Sequence, residues 1–121
     1  MSSDLITPTP LRVVSTAQED LVVLRVAGEI DIATCAALDE AIDSSLAGRP
    51  RAIALDLSEV SFLACAGASS ILESWYRATK QRTRLGIVNP SAAAERVLHA
   101  MRLDAVLVRD PSIISGTTRS Y

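Results

Sequence analysis

Residues 60–72 read Val60-Ser61-Phe62-Leu63-Ala64-Cys65-Ala66-Gly67-Ala68-Ser69-Ser70-Ile71-Leu72, with no charge between Glu59 and Glu73. An apolar approach leads into four small residues, Ala64-Cys65-Ala66-Gly67, and then into residues spaced for a helix. Ala68, Ile71, Leu72, Trp75 and Thr79 fall on one helical stripe, which the polar Lys80-Gln81-Arg82 ends. Upstream, Ala52-Ile53-Ala54-Leu55-Asp56-Leu57 is a short, mostly apolar run, the mark of a strand buried on both faces. A buried strand therefore gives way to a helix here, through a loop over residues 58–67, and that is the repeating unit of an α/β fold.

Outward from this unit, Leu11 to Thr16 and Leu21 to Val26 are β-rich runs separated by the polar Gln18-Glu19-Asp20, the pattern of a hairpin. Cys35, Leu38, Ile42 and Leu46 then form a helical stripe while Asp39, Glu40 and Asp43 face elsewhere, and Gly48 and Pro50 stop that helix. Leu85 to Val88 reads as a further strand. Asn89-Pro90 supplies an N-cap with proline at the first helical position of a third helix, whose Val97, Leu98 and Met101 face the core. Val106-Leu107-Val108 reads as the last strand. The order β-β-α-β-α-β-α-β predicts a single α/β domain over residues 11–110. Its mixed sheet has an antiparallel first hairpin, parallel later strands, and right-handed crossover helices mainly on one face. Residues 1–10, with Pro8 and Pro10, are expected to form a flexible arm and residues 111–121, rich in Ser and Thr, a flexible tail. In such a sheet the loops after the strands' C-terminal ends share one rim with the helix N-termini, whose free amides favour anionic or polar partners. Residues 28–34, 58–67 and 89–91 belong to that rim.

Composition narrows the chemistry. With 121 residues, of which 49% are hydrophobic, the chain is long enough for one packed core. The net charge is −2, and the basic residues, all arginine but Lys80, are scattered, so no nucleic-acid partner is expected. No run approaches the about 20 apolar residues that cross a bilayer, and the start lacks the basic and apolar regions of a secretory signal. The expectation is a cytoplasmic protein without a membrane partner. Cys35 and Cys65, thirty positions apart, with the single histidine His99, make neither a zinc set nor a disulfide framework, and no metal or cofactor is expected. Neither G-x-G-x-x-G nor G-x-x-x-x-G-K-[ST] occurs.

Candidate catalytic groups find structural uses instead. Asp56 lies in a central strand, as in a phospho-acceptor receiver domain, but the sole lysine, Lys80, is in a helix, so Asp56 reads as a structural carboxylate bonded to rim amides. Glu29 and Asp31 form a carboxylate pair, yet Asp31 reads as the N-cap of the first helix, with Thr34 completing the turn. His99 is polar-flanked and expected at the surface. Ser61, Ser69 and Ser70 lack a neighbouring base, and Ser69 and Ser70 are expected to satisfy amides of the first helical turn. Trp75 and Tyr76 are consecutive on a helix and point about 100° apart, so they cannot both stack on one ligand. The chain is not expected to be an enzyme.

Val26-Ala27-Gly28-Glu29-Ile30-Asp31 resembles the G-E-[IL]-D element that follows the second strand of the STAS domain. Ala54-Leu55-Asp56-Leu57-Ser58-Glu59-Val60-Ser61-Phe62 is similar to that family's L-D-L-S-x-[VL]-x-F strand, and Leu98 to Leu103 to its third helix and final leucine. From Leu11 to Asp110 the chain resembles the bacterial anti-sigma-factor antagonists within that family. The resemblance implies a protein-binding switch. In such proteins the rim around the second helix docks on an anti-sigma factor, often a kinase of the histidine-kinase-like ATPase fold, and docking frees a sigma factor for transcription. The kinase can phosphorylate the serine of a D-S-[SA]-G motif and so eject the antagonist. Ala64 stands here at the aspartate, Cys65 at the serine, and Gly67 is retained. The implied partner-binding residues are Glu29, Asp31, Ala64, Cys65, Ala66, Gly67 and Ala68, with Cys65 regulatory. Ala68→Arg is expected to abolish binding in an intact fold. Because Cys65 has no hydroxyl, the readings left open are an antagonist without phosphoserine control, one controlled through its thiol, and a ligand-binding STAS module. At a rim helix terminus Cys65 is expected to react faster than Cys35, which lies on a core-facing stripe; the alternative is a small packing residue.

Overall fold

In the computed structural model, which describes residues 11–110, β1 (Arg12–Gln18) and β2 (Leu21–Ile30) pair antiparallel from Arg12↔Ala27 to Gln18↔Leu21. Glu19 and Asp20 alone make the turn, shorter than the three-residue turn read from the sequence, and Glu19 takes a left-handed φ of 53° to close it. β3 (Ala52–Leu63) runs parallel to β2, and β4 (Arg84–Val88) parallel to β3, in the order β1-β2-β3-β4. Among the described residues the helices are α1 (Cys35–Ala47), α2 (Cys65–Lys80), α3 (Ala92–Ala100) and the single turn α4 (Asp104–Leu107). Each parallel strand is added on the same side of the one before it, so right-handed crossovers bring the connecting helices to the same face. There Leu38 and Ile42 of α1, Ala68 and Ile71 of α2, and Leu98 of α3 close over Leu24, Val26, Ile53, Leu55, Leu57, Leu85 and Ile87. Leu21, Val23, Ala52, Ala54 and Val88 form a smaller cluster on the reverse face. The mixed sheet with its antiparallel first hairpin is the architecture read from the sequence. The expected arm and tail, 1–10 and 111–121, lie outside the described residues. None of the described helices is long and apolar enough to cross a membrane.

Four local expectations are corrected. First, residues 58–63 are strand, not loop. The register passes from Arg25↔Asp56 to Ala27↔Glu59, and from Gly28↔Val60 to Glu29↔Phe62, so β3 carries one extra residue at each of two bulges. Each bulge shifts the pleat, and Leu57, Val60 and Leu63 come to be buried at intervals of three instead of two. Gly28, with φ 116°, sits at the second bulge, where an L side chain would be strained. At the first, the buried Asp56 accepts the Ser58 N–H at 3.0 Å, so it serves a bulge amide rather than the rim, and its other oxygen lies 3.7 Å from Nε of Arg25.

Second, the buried stripe of α2 is Gly67, Ala68, Ile71, Ser74 and Ala78, while Trp75 is half-buried and Thr79 exposed. Small residues face inward and let the helix lie close to its neighbours. Third, Ser91 caps α3, its hydroxyl accepting the Ala94 N–H at 3.1 Å; Asn89, at φ 50°, and Pro90 precede the helix. Fourth, the last predicted strand is mostly the turn α4, which places Leu107 in the core, and only Val108 pairs with the sheet, opposite Ile87. His99 is exposed, as expected, with Nδ1 3.1 Å from Asp104, and this hydrogen bond holds the Asp104 carboxyl below its ordinary range.

Candidate protein-binding site

β2 and β3 end side by side, with Ile30 opposite Leu63 and the Ala64 N–H donating to the Ile30 carbonyl at 2.8 Å. This pairing brings the turn that opens α1 against the N-terminus of α2. The turn is held by a reciprocal cap. Asp31 Oδ1 accepts the Thr34 N–H at 3.0 Å, while Thr34 Oγ1 accepts the Asp31 N–H at 2.9 Å and donates to the Glu29 carbonyl at 2.7 Å. Asp31 therefore caps as the sequence indicated, one turn ahead of the regular helix, which Thr34 precedes. The turn carries Ile32 and Ala33 outward, and Ile32 is 78% exposed.

On the other side of the pair, the second bulge of β3 turns Phe62 out to 49% exposure opposite Glu29, itself exposed. Ala64 then stands at the N-cap of α2, where it offers no side-chain hydrogen bond to the first turn. Cys65 and Ala66 are exposed, and Gly67 and Ala68 are buried beneath them. A Cβ on Gly67 would come within 2.7 Å of Ile30 Cγ2 and 3.2 Å of the Ile30 carbonyl oxygen, so glycine is what allows α2 to start this close to β2.

Glu29, Asp31, Ala64, Cys65 and Ala66 thus gather at one edge, and Gly67 and Ala68 support it from below. Because Ala68 is 0% exposed, an arginine there has no room, and the expectation that Ala68→Arg leaves the fold intact is corrected. Ser69 is exposed and Ser70 half-buried, and neither caps α2; Ser70 Oγ donates to Asp39 Oδ1 at 2.5 Å and ties α2 to α1. Both cysteines are free thiols, Cys35 half-buried with Sγ 3.6 Å from the Ile32 carbonyl oxygen. Sequence reasoning missed Ile32 and Phe62. Ile32 precedes Cys35 by three residues and so mimics a member of the α1 stripe, and the exposure of Phe62 depends on a bulge. The available signal was that a lone phenylalanine directly precedes the strand's last core residue.

The surface is apolar at Ile32 and Phe62, small at Cys65 and Ala66, and bordered by the carboxylates of Glu29 and Asp31, a composition suited to contact with another protein. Comparison with known proteins points the same way. The sequence profile of the STAS domain matches residues 12–116. The anti-sigma-F factor antagonist RsfB of Mycobacterium tuberculosis is 36% identical over 97 residues, covering 80% of this chain and 79% of that protein. The crystal structure of an anti-sigma factor antagonist from Mycobacterium paratuberculosis superposes with a TM-score of 0.77 at 29% identity, covering 89% of this chain and 93% of that one. The anti-sigma factor antagonist SpoIIAA in its unphosphorylated form shares the fold, with a TM-score of 0.68 at 19% identity over 83% of this chain and 86% of that one. With a profile match over residues 12–116 and a relative 36% identical across 80% of its length, this chain belongs to the STAS domain family.

Proposed function

We propose that this chain is an anti-sigma-factor antagonist: it binds an anti-sigma factor through the edge formed by the β2–α1 turn and the N-terminus of α2, and so releases a sigma factor for transcription. The observation that carries this reading is the exposed, uncharged start of α2 at Cys65 and Ala66, flanked by Ile32 and Phe62, in a chain 36% identical to a relative named for that activity. Small side chains let a partner's backbone come close. Ile32 and Phe62 each supply about 1.5–3 kcal/mol if fully buried in a complex, and Glu29 and Asp31 belong to the polar border. The partner expected is an anti-sigma factor of the kinase-like ATPase fold. Its kinase activity finds no hydroxyl at Cys65, so release of this antagonist does not run through a phosphoserine at that position.

Calorimetry with the anti-sigma factor, captured from native cytosol and identified by mass spectrometry, tests the reading. Ala66 is exposed, so Ala66→Arg should melt within about 2 °C of the parent while affinity falls at least about 100-fold, the loss expected for a charge driven into a close-packed contact. Unchanged affinity in the folded variant would put the interface elsewhere.

A second reading, thiol control of the same contact, is favoured by the exposure of Cys65 against the half-buried Cys35. Brief alkylation of the native protein followed by peptide mapping should label Cys65 first and weaken partner binding. Equal labelling, or normal binding by the labelled protein, would leave Cys65 as a small packing residue.

A further inference from the structure

Along the outer face of α2 the residues Cys65, Ser69, Leu72 and Tyr76 follow one another at intervals of four, three and four. At about 3.6 residues per turn they fall within about 60° of one another, opposite the buried Ile71, Ser74 and Ala78. Cys65 and Ser69 are exposed, Leu72 is half-buried, and Tyr76 is 56% exposed, one of the large hydrophobic side chains that the described residues leave in solvent. Ile32 and Phe62 are two others and border the partner-binding edge, while Val14 stands apart on β1. The Tyr76 ring is held in place: it meets Trp75 edge-on, with centroids 5.2 Å apart and planes at 68°. The small residues at the start of the stripe and the larger ones below make one continuous surface that begins at the edge and runs down α2. It ends past Tyr76, because the exposed Thr79 and Lys80 are polar. From Cys65 to Tyr76 the rise is about 16 Å, or about three helical turns.

We propose that the anti-sigma factor lays a helix along this face, with Tyr76 as the anchor farthest from the edge. The proposal rests on the partner-binding edge argued above and specifies which element of the partner meets it. Alternating intervals of four and three form the seam along which two helices pack nearly side by side, each side chain of one filling a gap in the other. A strand, with its period of two, does not match that spacing. The edge by itself is short of a stable contact, which takes about 800 Å² from each partner, a patch roughly 30 Å across, and the seam extends it toward that scale. Cys65 and Ser69 let the partner helix come close at one end, and Leu72 and Tyr76 fill space at the other. A tyrosine already held against a tryptophan loses little freedom on binding. Glu73, exposed beside the seam, belongs to none of the ion pairs among the described residues, so a basic residue of the partner helix is expected opposite it.

Tyr76 is largely exposed and alanine is the best helix former, so Tyr76→Ala removes the anchor and keeps the fold. Calorimetry of the full chain with the anti-sigma factor should show affinity at least about tenfold lower for Tyr76→Ala, the scale of an aromatic anchor. Tyr76→Phe, which keeps the ring, should stay within about threefold of the parent, and both variants should melt within about 4 °C of it, as exposed substitutions do. Photo-cross-linking reads the partner element directly. With Ser69→benzoylphenylalanine and Tyr76→benzoylphenylalanine, the residues captured in the anti-sigma factor and mapped by mass spectrometry should lie about seven positions apart in its sequence, as across a helix seam. Parental affinity in Tyr76→Ala, or cross-links from the two positions to distant segments of the partner, would overturn the seam. Ala66→Arg separates this result from the edge itself. Loss of binding in Ala66→Arg beside normal binding in Tyr76→Ala removes the seam and keeps the edge, whereas normal binding in both removes both.

Discussion

Gly67 shows how one residue sets the geometry of the candidate surface. The first turn of α2 rests on Ile30 and Leu63, the last buried residues of β2 and β3, and a methyl group at Gly67 would meet Ile30 Cγ2 at 2.7 Å and Leu63 Cδ1 at 3.2 Å. Backbone and buried side chains cannot both yield, so α2 would have to move outward. Gly67→Ala should therefore lose about 1–3 kcal/mol, as overpacked cores do, measured by urea unfolding. It should also weaken anti-sigma-factor binding, because Cys65 and Ala66 move with the helix. A variant as stable as the parent would show that the N-terminus of α2 has slack. The glycine was legible in the sequence as the retained member of a motif. Its reason was not, because Ile30 lies thirty-seven positions earlier in the chain.

Among elements, the helix ends share an unusual chemistry. The residues closing α1, α2 and α3 in left-handed conformation are Arg49, at φ 52°, Arg82, at 65°, and Arg102, at 59°. At Arg102 the N–H donates to the His99 carbonyl at 3.0 Å and the Leu103 N–H to that of Leu98 at 2.8 Å, the same closure as after α2. A cation at a helix C-terminus is favourable by about 0.3–1 kcal/mol, but a side chain in the left-handed region costs about 1–2 kcal/mol. Glycine wins that comparison. Arg102→Gly should raise stability by about 0.5–1 kcal/mol in urea unfolding, and a decrease would mean that the arginine side chain contributes more than its charge. The strands teach a different lesson. The apolar run marks residues 52–57 as a strand buried on both faces and ends there, because two bulges give the next six residues a burial period of three that is not a strand's.

Across the whole molecule, α2 runs from the small, uncharged edge at Cys65 to a basic last turn that carries Arg77 and Lys80. Sixteen residues of helix span about 24 Å, and sites that far apart without shared partners act independently. Lys80→Ala, at the exposed far end of α2, should leave anti-sigma-factor affinity within about twofold of the parent. A larger change in either direction would show that α2 transmits between its ends. The sequence by itself determined the order of elements through the third helix, the antiparallel hairpin followed by parallel strands, the capping role of Asp31 and the placement of Cys65 at a helix start. Each of these follows from side-chain period, turn chemistry or capping within a few residues of chain. Only the tertiary structure decided which residues of the α2 stripe face inward, and that Ala68 is buried and Phe62 exposed. Those outcomes rest on strand register and on contacts between residues far apart in the chain, which no local pattern encodes.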